Sequence, residues 1–226
     1  MNDKPGEDRR RVHHSPLQGR ILSEAVLRDV ADLNARYLEI VLEEGVEDDP
    51  LVGWSCEALG ALRGTERPVL ARMAACPFAL FQIDLMACQL GASEGARVED
   101  RSAAGTNPSL GIGLAWFRRV ALFTAWRLAD GSPLAARIAF GLSPSAELEL
   151  NEMCPTEVAR LADARGVVRA RWPENTRFWL MLRAAAQSQC PQALQWAHCV
   201  GICLMDREPR HAGAQAGERN HGTLRR

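Results

Sequence analysis

The sequence lacks any uninterrupted apolar run of about 18 residues, the length that a membrane-spanning helix requires. Its first residues, MNDKPGEDRRRVHHSP, are polar and contain no apolar segment of the kind found in secretory signals. We therefore expect no membrane span, no secretory signal and a cytoplasmic location. Lysine is nearly absent too: Lys4 is the only one, so almost all positive charge is carried by arginine.

Motifs of catalysis and cofactor binding are also missing. The chain has no Gly-rich phosphate loop, no GxSxG sequence and no pair of histidines spaced as metal ligands. Four of the five histidines lie in the terminal segments, and only His198 falls within a predicted element. A nucleophile with a neighbouring base is not indicated, so we expect no enzyme, no catalytic residues and no cofactor.

The seven cysteines are odd in number, scattered and mostly set within apolar runs. This pattern predicts reduced, buried cysteines that pack as small hydrophobic residues. Cys199 and Cys203 are four residues apart on one helical face, but the adjacent His198 points about 100° away from Cys199 on a helix. These three residues are therefore poorly placed to bind one ion, and no metal site is predicted.

The overall charge is almost balanced. The chain has 27 basic and 28 acidic residues, a formal net charge of -1 and a sequence pI of about 6.5. This balance argues against a strongly basic nucleic-acid-binding protein, although a local basic face can be hidden in a neutral total.

Two long helices are predicted from apolar residues that recur every three or four positions. The first covers Ile21 to Glu44, with Ser23 as its N-cap and a stripe formed by Val26, Val30, Leu33, Tyr37 and Ile40. Its apolar face is wide, as expected of a core helix or of a helix at a dimer interface. The second covers Leu114 to Ala129, and its stripe of Phe117, Ala121, Thr124 and Leu128 repeats the first at a spacing of 91 residues.

Shorter elements are predicted between and after these two helices. Caps, prolines and glycines place short helices at Leu51 to Leu62, from Thr65 as N-cap to Pro77, at Pro133 to Phe140, from Ser143 onward, from Pro155 to Gly166, at Asn175 to Gln187 and at Pro191 to Met205. Phe78 to Leu85 and Val167 to Trp172 are predicted as strands, with a helix as the alternative for the first.

The segment from Leu59 to Leu85 returns in altered form at Glu147 to Trp172. Leu62 aligns with Leu150, and LARMA from Leu70 aligns with VARLA from Val158, both at a spacing of 88 residues. We predict a mainly α fold of two homologous helical halves that form a pseudo-dimer, each with a helix-turn-helix-like pair and a short extended segment. The predicted division is a disordered tail at 1–19, a first repeat at 20–90, a linker at 91–113, a second repeat at 114–206 and a disordered tail at 207–226.

These segments resemble the FlhD family of flagellar transcriptional regulators. Leu33-Asn-Ala-Arg-Tyr-Leu38 is similar to the first-helix signature of that family, Phe140-Gly-Leu-Ser143 with Glu147 to Ala162 is similar to its later helices, and Leu59 to Phe81 resembles those helices a second time. FlhD is a single short unit that dimerises, whereas this chain has the length of two units. The resemblance implies a regulator that pairs with another protein subunit at promoter DNA, where the partner supplies much of the DNA contact and carries the zinc.

Helix pairs of this kind can place a recognition helix in the major groove of DNA. The candidate phosphate contacts are Arg67, Arg72, Arg160, Arg165, Arg169 and Arg171. The simpler interpretation is a solvated arginine face balanced by Glu66, Glu157 and Asp163. Three hypotheses follow: an FlhD-like regulator that pairs with a protein and contacts DNA directly or not at all, a helical adaptor without DNA contact, and a metal-dependent enzyme as the least favoured. Whether the chain also forms a homo-oligomer stays open.

Overall fold

The computed structural model describes residues 21–44, 54–85, 108–164 and 166–207. The described part is mainly helical with one small two-stranded sheet, which confirms the prediction of a mainly α fold. Its elements are α1 (Glu24–Glu44), α2 (Cys56–Leu62), α3 (Arg67–Ala74), β1 (Phe81–Ile83), α4 (Pro108–Gly131), α5 (Pro133–Phe140), α6 (Pro144–Glu152), α7 (Pro155–Ala162), β2 (Val168–Ala170), α8 (Thr176–Gln187) and α9 (Pro191–Arg207). None of the described helices combines the length and the apolar character that crossing a membrane would demand.

Helix α1 begins where its cap predicts. The Val26 amide donates to the Ser23 hydroxyl oxygen at 3.2 Å, and this bond satisfies one of the amides that a helix start leaves without a partner. Val30, Leu33, Tyr37 and Ile40 from the predicted stripe are all buried. This helix is thus held by the core along most of its length.

The boundaries of α2 and α3 differ from the prediction. Helix α2 begins at Cys56, because the Ser55 side chain caps it by accepting from the Ala58 amide at 3.1 Å. Trp54 therefore precedes the helix, and positions 51–53 lie outside the described residues. Thr65 is not the cap of α3, which has Glu66 at that position with an extended backbone. The Thr65 hydroxyl is instead buried with no hydrogen-bond partner.

Helix α4 is longer than predicted, and of its predicted stripe Phe117 and Ala121 are buried. It begins at Pro108, so the predicted linker 91–113 is helical from residue 108, and its earlier residues lie outside the described part. Thr124 and Leu128 are only half-buried, because the buried face runs through Leu114, Phe117, Ala121, Leu122 and Ala125. These residues follow Val30, Leu33, Tyr37, Leu38 and Val41 of α1 by 84 positions (114 against 30) instead of 91. A shift of seven residues preserves a helical stripe, and for this reason the sequence allowed both spacings.

The two strands pair with each other in antiparallel orientation. Phe81 lies opposite Ala170, Gln82 opposite Arg169 and Ile83 opposite Val168. Both strands have only three residues, shorter than the predicted Phe78 to Leu85 and Val167 to Trp172. Neighbouring backbone groups bond elsewhere: the Leu80 amide donates to the Asn34 side chain at 2.7 Å and the Ala79 amide to the Ala139 carbonyl at 2.7 Å. The ladder therefore cannot extend towards Phe78.

An aromatic cluster around Tyr37 joins the main elements. The Tyr37 ring lies 5.7 Å from that of Phe81 and 6.1 Å from that of Phe117. Its hydroxyl accepts a hydrogen bond from the Trp54 indole at 2.8 Å. Burial raises the pKa of Tyr37 well above its ordinary value, so the hydroxyl stays protonated. This cluster ties α1, the start of α2, β1 and α4 into one core.

Helix α9 packs closely on the core through a glycine. A Cβ atom added at Gly201 would clash with the ring of Phe78, whose Cε1 would lie 3.0 Å away. Phe78 is itself 1% exposed, so it has little room to move.

We expect Gly201→Ala to lower the free energy of unfolding by roughly 1–3 kcal/mol, because overpacking costs more than alanine gains in helix propensity. Gly60 lies inside α2 with no atom near its added Cβ, so Gly60→Ala should stabilise the protein by about 0.5–1 kcal/mol. Urea unfolding of the two variants, followed by circular dichroism, measures both values. Equal stabilisation by both substitutions would show that α9 does not require its close approach to Phe78.

Candidate interaction surface

The first helix pair, α2 and α3, is covered by α8, and polar bonds hold the C-terminal part of α8 and the segment that precedes it. The Arg72 guanidinium on α3 donates to the Ala186 carbonyl in the last turn of α8, and Arg183 on α8 donates to the Ala61 carbonyl of α2. The Ser55 amide donates to the Pro173 carbonyl at 3.2 Å before α8 begins. Arg72 and Arg183 thus satisfy carbonyls that the helix ends leave open.

The second helix pair, α6 and α7, packs against α4 and α5 instead. Ser143 caps α6 by accepting from the Ala146 amide at 3.1 Å. Glu157 accepts from the Cys154 amide at 2.8 Å to form a capping box at the start of α7. This bond to the charged carboxylate lowers the pKa of Glu157. The N-termini of both helices are therefore fixed by side-chain caps. Among the described elements, no helix covers this pair as α8 covers α2 and α3.

The solvent side of α6 and α7 carries mostly negative charge. Glu152, Glu157 and Asp163 are exposed on it, and Glu149 is half-buried. Arg160 is the exposed base among them, and Leu148 is exposed as well. The Arg119 guanidinium lies 2.7 Å from the Asp163 carboxylate and neutralises part of this charge. An acidic surface repels phosphates, so α7 is poorly suited to act as a recognition helix.

The five candidate arginines that the structure describes are spread over several elements and differ in exposure. Arg67 and Arg160 are exposed, but they lie on different helix pairs. Arg72 is half-buried and bonded to α8, and Arg169 lies 3.2 Å from the Asp84 carboxylate. Arg165 lies outside the described residues. Among the described candidates, the fully exposed arginines are therefore separated from each other and do not form a continuous basic face.

Arg171 is a clear correction to the prediction, because its side chain is 1% exposed. It donates to the Ala79 carbonyl at 2.9 Å and to the Phe140 carbonyl at 2.6 Å. Its guanidinium also lies 5.7 Å from the centre of the Trp172 ring. Arg171 thus connects the segment before β1 to the end of α5, and it cannot reach DNA. Alternation along VVRARW puts Arg171 on the same side as the half-buried Arg169, but Arg171 lies after the end of β2 and is buried nonetheless.

The cysteines also differ from the prediction. Among the described cysteines, Cys76 is buried and its thiol pKa is raised by burial. The other five are exposed: Cys56, Cys154, Cys190, Cys199 and Cys203. They lie at helix starts or on the outer face of α9, where apolar neighbours in sequence do not imply burial. In the residues that the structure describes, no three His, Cys, Asp or Glu side chains converge as metal ligands.

An open groove of about 620 Å³ runs between α1 and α4. Its walls are apolar at Leu33, Val120 and Phe123, and they are charged at Asp29 and Arg127. These last two side chains form an ion pair at 3.0 Å, so the charge at this point is already compensated.

Comparison of the chain with protein-family models, with curated proteins and with solved structures gives no match.

Proposed function

We propose that this protein is an FlhD-like regulator that acts by pairing with another protein, and that its two halves are related units packed as a pseudo-dimer. The observation that carries this proposal is the antiparallel pairing of β1 with β2, in which Gln82 lies opposite Arg169. Each strand follows an eight-residue helix, and α7 begins 88 residues after α3 (155 against 67). Two copies of one unit related by a two-fold axis would pair their equivalent strands in this way.

Packing of the long helices supports the same arrangement. Helix α1 packs on α3, α4 packs on α7, and α1 packs on α4. The buried positions of α1 and α4 match along five residues, as described above. A two-fold related pair of units would bury its long helices against each other and would leave the outer helix pairs for partners.

Protein pairing is favoured over extensive DNA contact by the charge distribution. The first helix pair is covered by α8, and the second is acidic on its solvent side. Arg67 and Arg160 remain as candidate phosphate contacts. The alternative function is a helical adaptor without any DNA contact. It is favoured because Arg72 and Arg171 donate to backbone carbonyls and Arg169 forms an ion pair with Asp84.

A gel-shift assay on promoter DNA, with and without candidate partner subunits, tests the regulator against the adaptor. We expect a shift that requires the partner and weakens as salt increases. Arg67→Glu or Arg160→Glu should lower the slope of log affinity against log salt by about 1. Arg177→Glu, at an exposed position of α8, is the matched control and should leave the slope unchanged. If no shift occurs under any condition, the adaptor replaces the regulator.

A further inference from the structure

We propose that this protein forms a homodimer through the exposed side of α9, with the two copies of the helix packed in antiparallel orientation about a two-fold axis at Cys199. We call this side the outer stripe. It consists of the exposed residues of α9 from position 192 to position 206: Gln192, Gln195, Trp196, Cys199, Ile202, Cys203 and Asp206. The inference goes beyond the proposed function and does not depend on it, because a regulator and an adaptor would share this dimer.

The outer stripe faces solvent with no charged residue before its last position. From Pro191 to Met205 the helix contains no Asp, Glu, Lys or Arg. Trp196 is 67% exposed, the largest value among the exposed large hydrophobic residues that the structure describes, and Ile202 is 47% exposed. A surface helix ordinarily carries charged residues on its solvent side, whereas a helix that is apolar on all sides is covered on all sides. We therefore expect the outer stripe to be covered.

Neither the core nor the segment that follows α9 supplies this cover. The opposite side of the helix already packs on the core, where Gly201 lies against the ring of Phe78. Residues 208–226 contain a single large apolar residue, Leu224. They offer too little apolar surface to bury the two large apolar side chains of the outer stripe. Cover by another molecule is therefore favoured.

The outer stripe is symmetric about Cys199, and this symmetry favours a second copy of the chain as the molecule that covers it. Residues at equal distances before and after Cys199 are all exposed: Trp196 with Ile202, Gln195 with Cys203, and Gln192 with Asp206. A two-fold axis through Cys199, perpendicular to the helix, brings each residue level with its counterpart in the second copy, as an isologous interface requires. The apolar pair then lies nearest the axis and the polar pair lies at the rim, which is the usual composition of a protein interface.

Side-chain size and charge favour the antiparallel orientation over the parallel one. A parallel pair would set the Trp196 rings of the two copies against each other and would bring the two Asp206 carboxylates to the same level. In the antiparallel pair, Trp196 lies level with the smaller Ile202 of the second copy, and large residues against smaller ones fill an interface without voids. The two carboxylates are then 14 residues apart, seven on each side of the axis, which is about 21 Å along the helix pair.

Analytical ultracentrifugation of the full chain in reducing buffer tests the dimer. The outer stripe is smaller than a standard interface of about 20–30 residues per side, so we expect a reversible dimer with a dissociation constant on the order of 10 μM. Trp196→Glu should raise this constant at least about tenfold, because it places a charge near the centre of the interface. The matched control is Trp116→Glu on α4, where the ring is 55% exposed, and it should leave the constant unchanged. Circular dichroism and urea unfolding confirm that both variants are folded.

Cross-linking with copper phenanthroline as oxidant distinguishes the two orientations. One variant keeps Cys199 and another keeps Cys203, and both retain the buried Cys76 while serine replaces every other cysteine. In the antiparallel dimer the two Cys199 residues meet at the axis, whereas the two Cys203 residues are eight residues apart, or about 12 Å along the helix pair. A disulfide requires Cα atoms within about 7 Å, so the variant with Cys203 should cross-link at least about tenfold more slowly than the variant with Cys199.

Three results would overturn the proposal. The first is a monomer at several hundred micromolar chain, since the outer stripe would then not bind a second copy. The second is a dimer that Trp196→Glu leaves intact, since another surface would then hold the two copies together. The third is equal cross-linking through Cys199 and Cys203, which a parallel pair would give. Neither DNA nor a partner protein is present in these measurements, so their outcome is independent of the gel shift that tests the regulator.

Discussion

Replacement of Asn34 by leucine should lower the free energy of unfolding by about 3–5 kcal/mol, one of the two largest effects that we expect. Asn34 is 0% exposed. Its amide donates to the Ala74 carbonyl at 3.1 Å and to the Phe78 carbonyl at 2.9 Å, and its oxygen accepts from the Leu80 amide at 2.7 Å. Leucine has a similar size but would leave these three buried backbone groups without partners, each at a cost of roughly 1–3 kcal/mol.

Urea unfolding followed by tryptophan fluorescence and circular dichroism measures this loss. The control is Asn151→Leu, at an exposed position of α6, where the change should stay within about 0.5 kcal/mol. Thermal unfolding should show a decrease of roughly 10 °C for Asn34→Leu, as expected for a chain of this length. A loss below about 1 kcal/mol would mean that water or a backbone shift satisfies the three groups, and that Asn34 does not fix the chain between α3 and β1.

The second large effect is expected for Gly141→Ala. Gly141 ends α5 with φ of 69°, a region that side chains rarely adopt. A Cβ atom there would clash with the Arg171 guanidinium, whose Cζ would lie 3.1 Å away. The guanidinium would have to leave the Ala79 and Phe140 carbonyls, and disruption of a buried charged group is costly. We expect a loss of about 3–4 kcal/mol in the free energy of unfolding.

Gly64→Ala separates the backbone strain from the clash. Gly64 has φ of 75°, but no atom lies within 4 Å of its added Cβ. Its substitution should therefore cost only about 1–2 kcal/mol, the strain of the left-handed backbone. Urea unfolding of both variants gives the difference, which reports on Arg171. Equal losses for the two glycines would contradict a close fit between Gly141 and the guanidinium.

The helices were predictable because their signals are local. Caps such as Ser23 and Ser143, and prolines at the starts of α5, α6 and α7, act within one turn of the chain. The apolar stripe of α1 was also readable from spacing alone. The stripe of α4 was only half right: Phe117 and Ala121 are buried as predicted, but Thr124 and Leu128 are half-buried. Alanines such as Ala125 and Ala129 pack in the core instead, and they carry little hydrophobic signal.

The candidate surface was less predictable because its residues are defined by contacts between distant segments. Arg171 and Arg160 look alike in the sequence, but one is buried among backbone carbonyls and the other is exposed. Cover of the first helix pair by α8 brings Arg72 to Ala186, 114 residues away. No short sequence pattern predicts a contact between two residues that are so far apart in the chain. The alternation of VVRARW was misleading here, because it groups Arg171 with the half-buried Arg169 and not with the buried Val168 and Ala170.

The pairing of β1 with β2 has a consequence for synthesis of the protein. Phe81 emerges from the ribosome 89 residues before Ala170, its partner in the ladder. At roughly 5–20 residues per second, the apolar edge of FQI stays without its neighbouring strand for about 4–18 s. An unpaired edge is the part of a nascent chain that adheres to other chains. Slower translation of the second half therefore prolongs the time for which this edge is exposed.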